Sequence, residues 1–541
     1  MLLFERIIAA RGLNEETKAD FLSPKYEQQH EPLLLPGIDD AVERLFKAHK
    51  NNDKVIIYGD YDIDGLTAAA LLSDAFVSFG FKNFDIFIPN RFEEGYGLTV
   101  DVIEKFAKDD VKLILTVDCG STSVKEVKRA NELGIDVIVT DHHAPSDISV
   151  PALAVINPKL KKSKYPFEDI AGVGVAFKLV RAMQKKLKGL PEGQEKWLLD
   201  LVAIGTVCDV VALIDENRTN VYWGLKVLSQ TRRPGLKALM AISNINPENI
   251  DTRSIGFRLG PRMNAAGRLE TAEHSLKLLT SDNPMEALET AEYLDDLNKL
   301  RRQQQDKIFK QAITQADNFS DDSVLVVSSP DWNHGIVGIV ASKLMEKYKK
   351  PVFVLQEIGT EAKGSTRSFG DFSAADAINY AKNLISKGGG HKFAAGLTLP
   401  TKNITKFRKS VNEFYKELDL KNQKELLLPT IDAMAELDEV SEELVLKINQ
   451  LEPFGVGNLQ PVIKCENLTV SGIRKMGADG QHVKLDLKDN SGCCMQFLSF
   501  NAPKSYYVEV GDRVSVCFSP NINEWRGNRS IEGQISHIEV S

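Results

Sequence analysis

Apolar and polar positions along this chain switch between two periods. In the first 160 residues short apolar runs, rich in β-branched residues, recur at 55–59, 84–88, 112–117, 135–140 and 152–156. Runs of this length bounded by turn residues read as buried strands. Between them the spacing turns helical. Residues 66–79 form one such stretch, stopped by Gly80, and Gly134 stops another. Strands alternating with helices predict an α/β fold with a parallel, doubly wound sheet. A later apolar run at 203–208 has the same look and is expected to be a further strand.

The second half follows other rules. Residues 285–317 contain no Gly and no Pro, and carry Leu288, Leu294, Leu297 and Leu300 among many charges. This predicts one long helix bridging two domains. A coiled-coil arm is the alternative, but the apolar seam is too irregular for it. Strand-like runs resume at 324–327 and 351–355 with a helix at 335–348 between, which gives a smaller α/β domain. Beyond residue 425 come short β-like pieces at 462–465, 468–473, 482–487, 494–500, 513–518 and 530–538. Such pieces predict a small OB-like barrel. The expected organisation is an N-terminal segment (1–40) with no assigned chemistry, an α/β domain (41–283), the bridging helix (284–320), the second α/β domain (321–424) and the barrel (425–541).

Composition narrows the class. A chain of 541 residues is long enough for several domains, and 43% hydrophobic with 26% charged residues is ordinary for a globular protein. No run approaches membrane-spanning length, and Met1–Arg6 lacks a signal layout, so a cytoplasmic protein is expected. The six cysteines show no C-x-x-C spacing, which points to reduced thiols and no zinc site. The formal charge of −8 excludes a histone-like binder. Any contact with nucleic acid must come from local basic groups lining a cleft. In the barrel, Phe497, Phe500 and Trp525 are either stacking platforms for bases or core.

The chemistry lies at the ends of the apolar runs. The first runs into Asp60, Asp62 and Asp64, closed by Gly65; the third into Asp118; the fourth into Asp141, His142 and His143; the run at 203–208 into Asp209. The carboxyl ends of parallel strands converge on one edge, where open α/β sheets bind ligands. That gathers Asp62, Asp64, Asp118, His142 and Asp209. Such carboxylates repel one another unless a cation or proton intervenes. An oxygen-rich set with imidazole suits Mn²⁺ or Mg²⁺. Singly, each motif has a plainer reading: an acidic turn, a helix cap at Asp118, a core histidine at His142. Four in order leave that reading little room. In the second domain, Arg367, Ser368 and His391 beside the glycine run Gly388–Gly390 suit phosphate binding; a flexible linker is the alternative for the glycines.

These motifs resemble those of the DHH phosphoesterase superfamily. Asp-x-Asp-x-Asp-Gly, Val-Asp-Cys-Gly, Asp-His-His and Cys-Asp-Val-Val follow in its order. Within it the chain resembles the RecJ-type exonucleases, through Ile8–Gly12, Ile88–Arg91 with Glu94–Gly97, Gly260–Leu269, Gly388–Gly396 and Leu451–Asn458. The likeness covers essentially the whole chain; Met263 stands where the family more often has Leu. It implies a metal-dependent exodeoxyribonuclease acting 5′→3′ on single-stranded DNA in repair and recombination, releasing 5′-mononucleotides. It implies two ions, Mn²⁺ or Mg²⁺, bridged by Asp118, with Asp62 serving one and Asp64, His142 and Asp209 the other. His143 would donate to the scissile phosphate and Asp141 would hold an imidazole; Asp60 is left unassigned. Arg91, Arg262, Asn264, Arg268, Arg367, Ser368, Gly389, Gly390 and His391 would bind DNA or its 5′-phosphate, with Arg262 the first candidate for the end reader. A monomer is expected, with a RecQ-type helicase and a single-strand-binding protein as partners implied by the resemblance. Two alternatives stand beside it. One is a superfamily member acting on short oligonucleotides, cyclic dinucleotides or pyrophosphate. The other is a DNA-binding scaffold without metals.

Overall fold

The computed structural model describes residues 2–420, 428–477, 480–503, 506, 508–525 and 527–540. By contacts it divides into two units. The larger comprises Pro32–Asp209 and Val227–Leu427.

That unit opens with a sheet of β1 (Val55–Gly59), β2 (Phe84–Phe87), β3 (Leu113–Val117), β4 (Asp136–Thr140) and β5 (Ala154–Ile156), in the order β2-β1-β3-β4-β5. All four pairings are parallel. Every residue of β1 and β3 is buried, which is why these strands read as unbroken apolar runs. The helix Ile63–Phe79 leaves the end of β1 and stops at Gly80, whose φ of 86° no β-carbon-bearing residue adopts cheaply.

One expectation fails here. Residues 203–208 are not a strand but the second half of the helix Leu199–Cys208. Residues 199–206 of that helix are all buried, so it shows no solvent-facing side. A short stretch of such a helix looks like a buried strand, because neither has a polar face to reveal its period.

The bridging helix runs Pro284–Asp317, 34 residues or about 51 Å. Its first half buries Leu294 and Leu297; its second half buries Ile308, Ala312 and Ala316 among the residues of the second sheet. Leu288 and Leu300 are 39% and 44% exposed, so no continuous coiled-coil seam exists. The second sheet contains β6 (Leu325–Ser329), β7 (Val352–Ile358), β8 (Glu361–Arg367), β9 (Lys387–Gly390) and β10 (Ala394–Pro400), ordered β6-β7-β8-β10-β9. The helix His334–Tyr348 packs on it.

The smaller unit joins Met1–Glu31, Val210–Lys226 and Leu428–Ser541. Its strands are β11 (Ala433–Met434), β12 (Ile463–Met476), β13 (His482–Lys488), β14 (Cys494–Ser499), β15 (Arg513–Trp525) and β16 (Asn528–Val540). Because β12 pairs with both β13 and β15, β12 to β16 close into a five-stranded barrel. The two pieces expected at 462–473 are one strand, interrupted by a register shift between Cys465 and Leu468. Phe497 is fully buried, edge-on to Phe518 at 4.9 Å, and so is core. Phe500 is exposed beside His482. The Trp525 side chain lies outside the described residues.

The N-terminal residues are structural partners of the barrel. The helix Leu3–Ala10 buries Leu3, Phe4, Ile7 and Ile8 in the barrel's core cluster. Arg11 donates to Asp432 at 2.9 Å and Asn458 at 2.8 Å. Arg218, on the helix Asp215–Leu228, is buried and donates to the carbonyls of Phe21 (3.0 Å), Leu451 (3.0 Å) and Glu452 (2.8 Å).

Candidate active site

Asp62 caps the helix Ile63–Phe79, its carboxylate accepting from Gly65 N–H at 3.1 Å. A β-carbon at Gly65 would stand 2.6 Å from the backbone of Asp60, so the glycine ending the Asp-x-Asp-x-Asp-Gly motif is what lets the loop fold back on itself. Asp64, in the first turn, is fully buried and accepts from the backbone N–H groups of Gly172 (2.6 Å) and Val173 (2.9 Å). These open the helix Gly172–Gln184, whose N-terminal dipole favours the carboxylate. A side chain at Gly172 would overlap Asp118 and Asp64, at 2.7 and 2.8 Å.

Asp118 follows β3 with φ of 60°, a left-handed turn that aspartate tolerates better than most residues. His142 Nε2 lies 3.2 Å from Asp118, 3.5 Å from Asp209 and 3.8 Å from Asp64. Asp209 arrives from the C-terminal cap of the helix Leu199–Cys208. The structure therefore brings Asp62, Asp64, Asp118, His142 and Asp209 together, although one of the elements carrying them is a helix. Asp60 joins Asp62 and Asp118 in a second ligand group, with all donor atoms within 4.8 Å of one another.

Asp141 is placed differently. Its carboxylate accepts from the N–H groups of His142 (2.8 Å), His143 (3.0 Å) and Ser121 (2.9 Å), and its Oδ1 lies 2.8 Å from His143 Nδ1. Burial works to raise its pKa, but His143 and these donors outweigh burial and hold it down at about 2. The same contact raises His143 against the effect of burial.

The cluster fits metal. Asp60 Oδ1, both carboxylate oxygens of Asp118, His142 Nε2 and Asp209 Oδ2 are buried without a hydrogen-bond partner among the described residues. Burial and neighbouring carboxylates push Asp60 and Asp118 far above the usual range, and raise Asp64 to about 7 and Asp209 to about 9. Burial and the charge of His143 lower His142 to about 3, leaving a neutral imidazole with a lone pair to offer. A dense set of orphaned oxygens and imidazole nitrogens is the donor chemistry of a hard divalent cation.

A cavity of 260 Å³ opens beside the acids, lined on that side by Asp62, Asp64, Cys208 and Asp209. The same cavity is also lined by cations, Arg91, Arg268 and Arg367, with Asn264, His334 and Ser365. The Arg91 guanidinium lies 4.1 Å above the Tyr61 ring, and its Nε is buried without a partner. Arg268 donates to Gly335 O at 3.1 Å, and burial together with Arg91, Arg301 and Arg367 lowers its pKa to about 9. Mutually repelling guanidiniums at a cavity wall are suited to an anion.

Of the expected phosphate binders, Arg91, Asn264, Arg268 and Arg367 line this cavity. Arg262, Ser368, Gly389, Gly390 and His391 do not. Arg262 is turned aside into a 2.8 Å pair with Asp295, and also donates to Arg258 O. The Ser368 hydroxyl donates to Lys392 O at 2.6 Å. Gly389 and Gly390 lie in β9, the exposed outer strand of the second sheet, and His391 follows them. Sequence reasoning overlooked His334, Ser365 and Gly172. Asn333 before His334, a cap whose side chain accepts from Gly335 N–H at 2.8 Å, was the available sign of a helix start there.

Sheet, cluster and cavity together suit metal-dependent chemistry on a phosphoester, and the family comparisons place the chain in the DHH class. Residues 54–206 match the DHH family N-terminal domain, 321–417 the DHHA1 domain and 431–537 the RecJ OB domain. The chain is 35% identical to the single-stranded-DNA-specific exonuclease RecJ of Bacillus subtilis, over 100% of this chain and 68% of that protein. It is 34% identical to the same-named protein of Escherichia coli, over 99% and 95%. It therefore belongs to the RecJ family. RecJ of Thermus thermophilus in complex with Mn²⁺ has the same fold, with a TM-score of 0.82 at 28% identity over 99% of this chain and 77% of that one. The Mg²⁺ complex of that protein gives 0.76 at 26% identity, over 99% and 76%. Among the described residues no helix is long and apolar enough to cross a membrane.

Proposed function

We propose that this chain is a single-stranded-DNA-specific exonuclease, degrading DNA from the 5′ end with two divalent cations, Mn²⁺ or Mg²⁺, and releasing 5′-mononucleotides. The observation carrying this reading is one cavity lined both by carboxylates, Asp62, Asp64 and Asp209, and by guanidiniums, Arg91, Arg268 and Arg367. Asp64, Asp118, His142 and Asp209 would hold one ion, and Asp118, Asp62 and Asp60 the other. Paired cations there supply Lewis-acid stabilisation of the attacking and leaving oxygens of an in-line displacement at phosphorus.

The remaining work falls to the chain's own groups. Arg91, Arg268 and Arg367 grip the terminal phosphate, which carries more charge than an internal one. That sets the first scissile bond against the acids and makes the cut exonucleolytic. Asp141 fixes His143 through Nδ1, so Nε2 is free to donate to the scissile phosphate. The substrate is a single strand, and a RecQ-type helicase and a single-strand-binding protein are the partners that would present it. Six free cysteines fit a reducing, cytoplasmic setting.

The test is digestion of one oligonucleotide labelled at either end, with and without Mn²⁺. Mononucleotides released only from the 5′ end, and only with metal, are expected. Release from the 3′ end, or cleavage of two- to five-nucleotide substrates alone, overturns the reading in favour of another DHH activity.

A further inference from the structure

The helices Ile63–Phe79 and Leu199–Cys208 share more than the acids of the active site. The first carries Asp62 and Asp64 at its start; the second ends on Asp209. They are tightly packed near those ends, where a β-carbon on Gly205 would overlap Thr67 Oγ1 and lie 2.9 Å from Asp64 Oδ1. Their other ends also meet, through one guanidinium. Arg233 Nη1 lies 2.6 Å from Asp74, in the first helix, and Nε lies 3.2 Å from Asp200 Oδ2, in the second. Asp200 is fully buried and further held by the Thr231 hydroxyl at 2.6 Å. Arg233 Nη1 also reaches Leu279 O at 3.4 Å. One cation thus sits between two carboxylates on two antiparallel helices, about 14–15 Å from the metal-binding acids by helical rise.

Without that cation, the buried Asp200 carboxylate loses its counter-charge, and Asp74, whose side chain is 38% exposed, is left repelling it from the solvent side. They can relieve the repulsion by moving apart. A packed helix transmits such movement along its length, because interiors are close-packed. The near ends carry Asp64 and Asp209, two of the groups around His142. The Asp60–Asp62–Asp118 group is carried by the loops after β1 and β3 and by the capping end of the helix Ile63–Phe79, and takes nothing from the helix Leu199–Cys208.

We propose that Arg233 is a positioning residue for the metal centre: by joining the far ends of the two helices, it sets the spacing of Asp64 and Asp209 and so the affinity of the cation site they share with His142. This rests on the metal-dependent reading above. It assigns work to a residue remote from substrate and metal alike.

The test is Mn²⁺ titration of metal-stripped full-length protein by calorimetry and electron paramagnetic resonance, for the parent, Arg233→Met and Arg233→Lys. In the methionine variant one of two Mn²⁺ sites is expected to weaken tenfold or more, the range seen when outer partners of metal ligands are removed, with the other within about twofold. Lysine keeps a charge but lacks the fork, so it should fold and weaken the same site less. Arg233→Met with Asp74→Asn removes one of the opposed charges, and should recover melting temperature before it recovers the second site. Two unaltered Mn²⁺ affinities in any folded variant, with only a lower melting temperature, would overturn the proposal and leave a purely structural ion triad. A parent that binds no Mn²⁺ would instead overturn the metal-dependent reading itself.

Discussion

Asp118→Asn should make the metal-free protein more stable while removing its response to metal. The carboxylate of Asp118 is fully buried, has no hydrogen-bond donor, and shares a group with Asp60 and Asp62 whose donor atoms lie within 4.8 Å. Two unit charges at that distance repel by about 3.5 kcal/mol at an effective dielectric constant of 20. Two such pairs would cost about 7 kcal/mol if all were ionised. The protein escapes part of this by binding protons, so about 2–4 kcal/mol should be recovered by the neutral amide at pH 8. In Mn²⁺ at a hundred times its dissociation constant the parent gains about 2.7 kcal/mol for each ion, and the variant should gain almost none. Scanning calorimetry in EDTA and in Mn²⁺ therefore has a crossed outcome: the variant melts higher in EDTA, the parent higher in Mn²⁺. Activity should fall by orders of magnitude. A variant that melts below the parent in EDTA would show that Asp118 makes a favourable interaction in the metal-free state, and equal Mn²⁺ shifts in both proteins would remove Asp118 from the ligand set.

Other outcomes follow from the same geometry. Asp64 and Asp209 have folded-state pKa values raised to about 7 and 9, so the native state keeps protons that the unfolded chain has released; metal-free stability should fall as pH rises from about 4 to 9 in urea titrations, and Mn²⁺ should flatten the slope. Arg268→Ala should slow digestion of 5′-phosphorylated strands more than of 5′-hydroxyl strands, with lysine rescuing in part. Arg262→Ala, which loses a pair with Asp295 outside the cavity, should slow both equally, and initial rates on matched oligonucleotides separate the two arginines. In the barrel, Phe497→Ala should cost about 3–5 kcal/mol in chemical denaturation, whereas exposed Phe500→Ala should stay within about 0.5 kcal/mol.

Much of this arrangement was legible in the chain, for identifiable reasons. Buried parallel strands advertise themselves as apolar runs, and the acids and histidine that follow them share one edge, so the grouping of Asp62, Asp64, Asp118 and His142 could be read from the chain. Asp209 was gathered correctly on a mistaken element, because a helix buried all round leaves no period to read. The phosphate side was less legible. Arg91, Arg262, Arg268 and Arg367 look alike in a sequence; what separates them is Asp295 waiting beside Arg262, 33 positions away. Glycine runs suggest anion cradles, but Gly389 and Gly390 are spent on strand pairing with β10. His334 and Ser365 were invisible as wall residues, since only the fold brings β8 and the start of a helix to one cavity.

The helix Leu3–Ala10 has a consequence in time. Its apolar face, Leu3, Phe4, Ile7 and Ile8, joins a core whose other members begin at Ala433. Arg11 finds Asp432 across 421 positions of chain. A ribosome adding about 5–20 residues per second needs about 20–85 s to cover that stretch. Through that interval the helix has only near neighbours such as Lys18, which pairs with Glu5, and lacks the barrel core its apolar face packs into. Its exposed apolar face is then a target for chaperones and for other nascent chains. Release of the barrel from the ribosome, and not completion of the catalytic sheet, becomes the event that ends the risk of aggregation. A nonsense mutation just after Leu427 would leave the larger unit complete but its N-terminal helix without the barrel core it packs into.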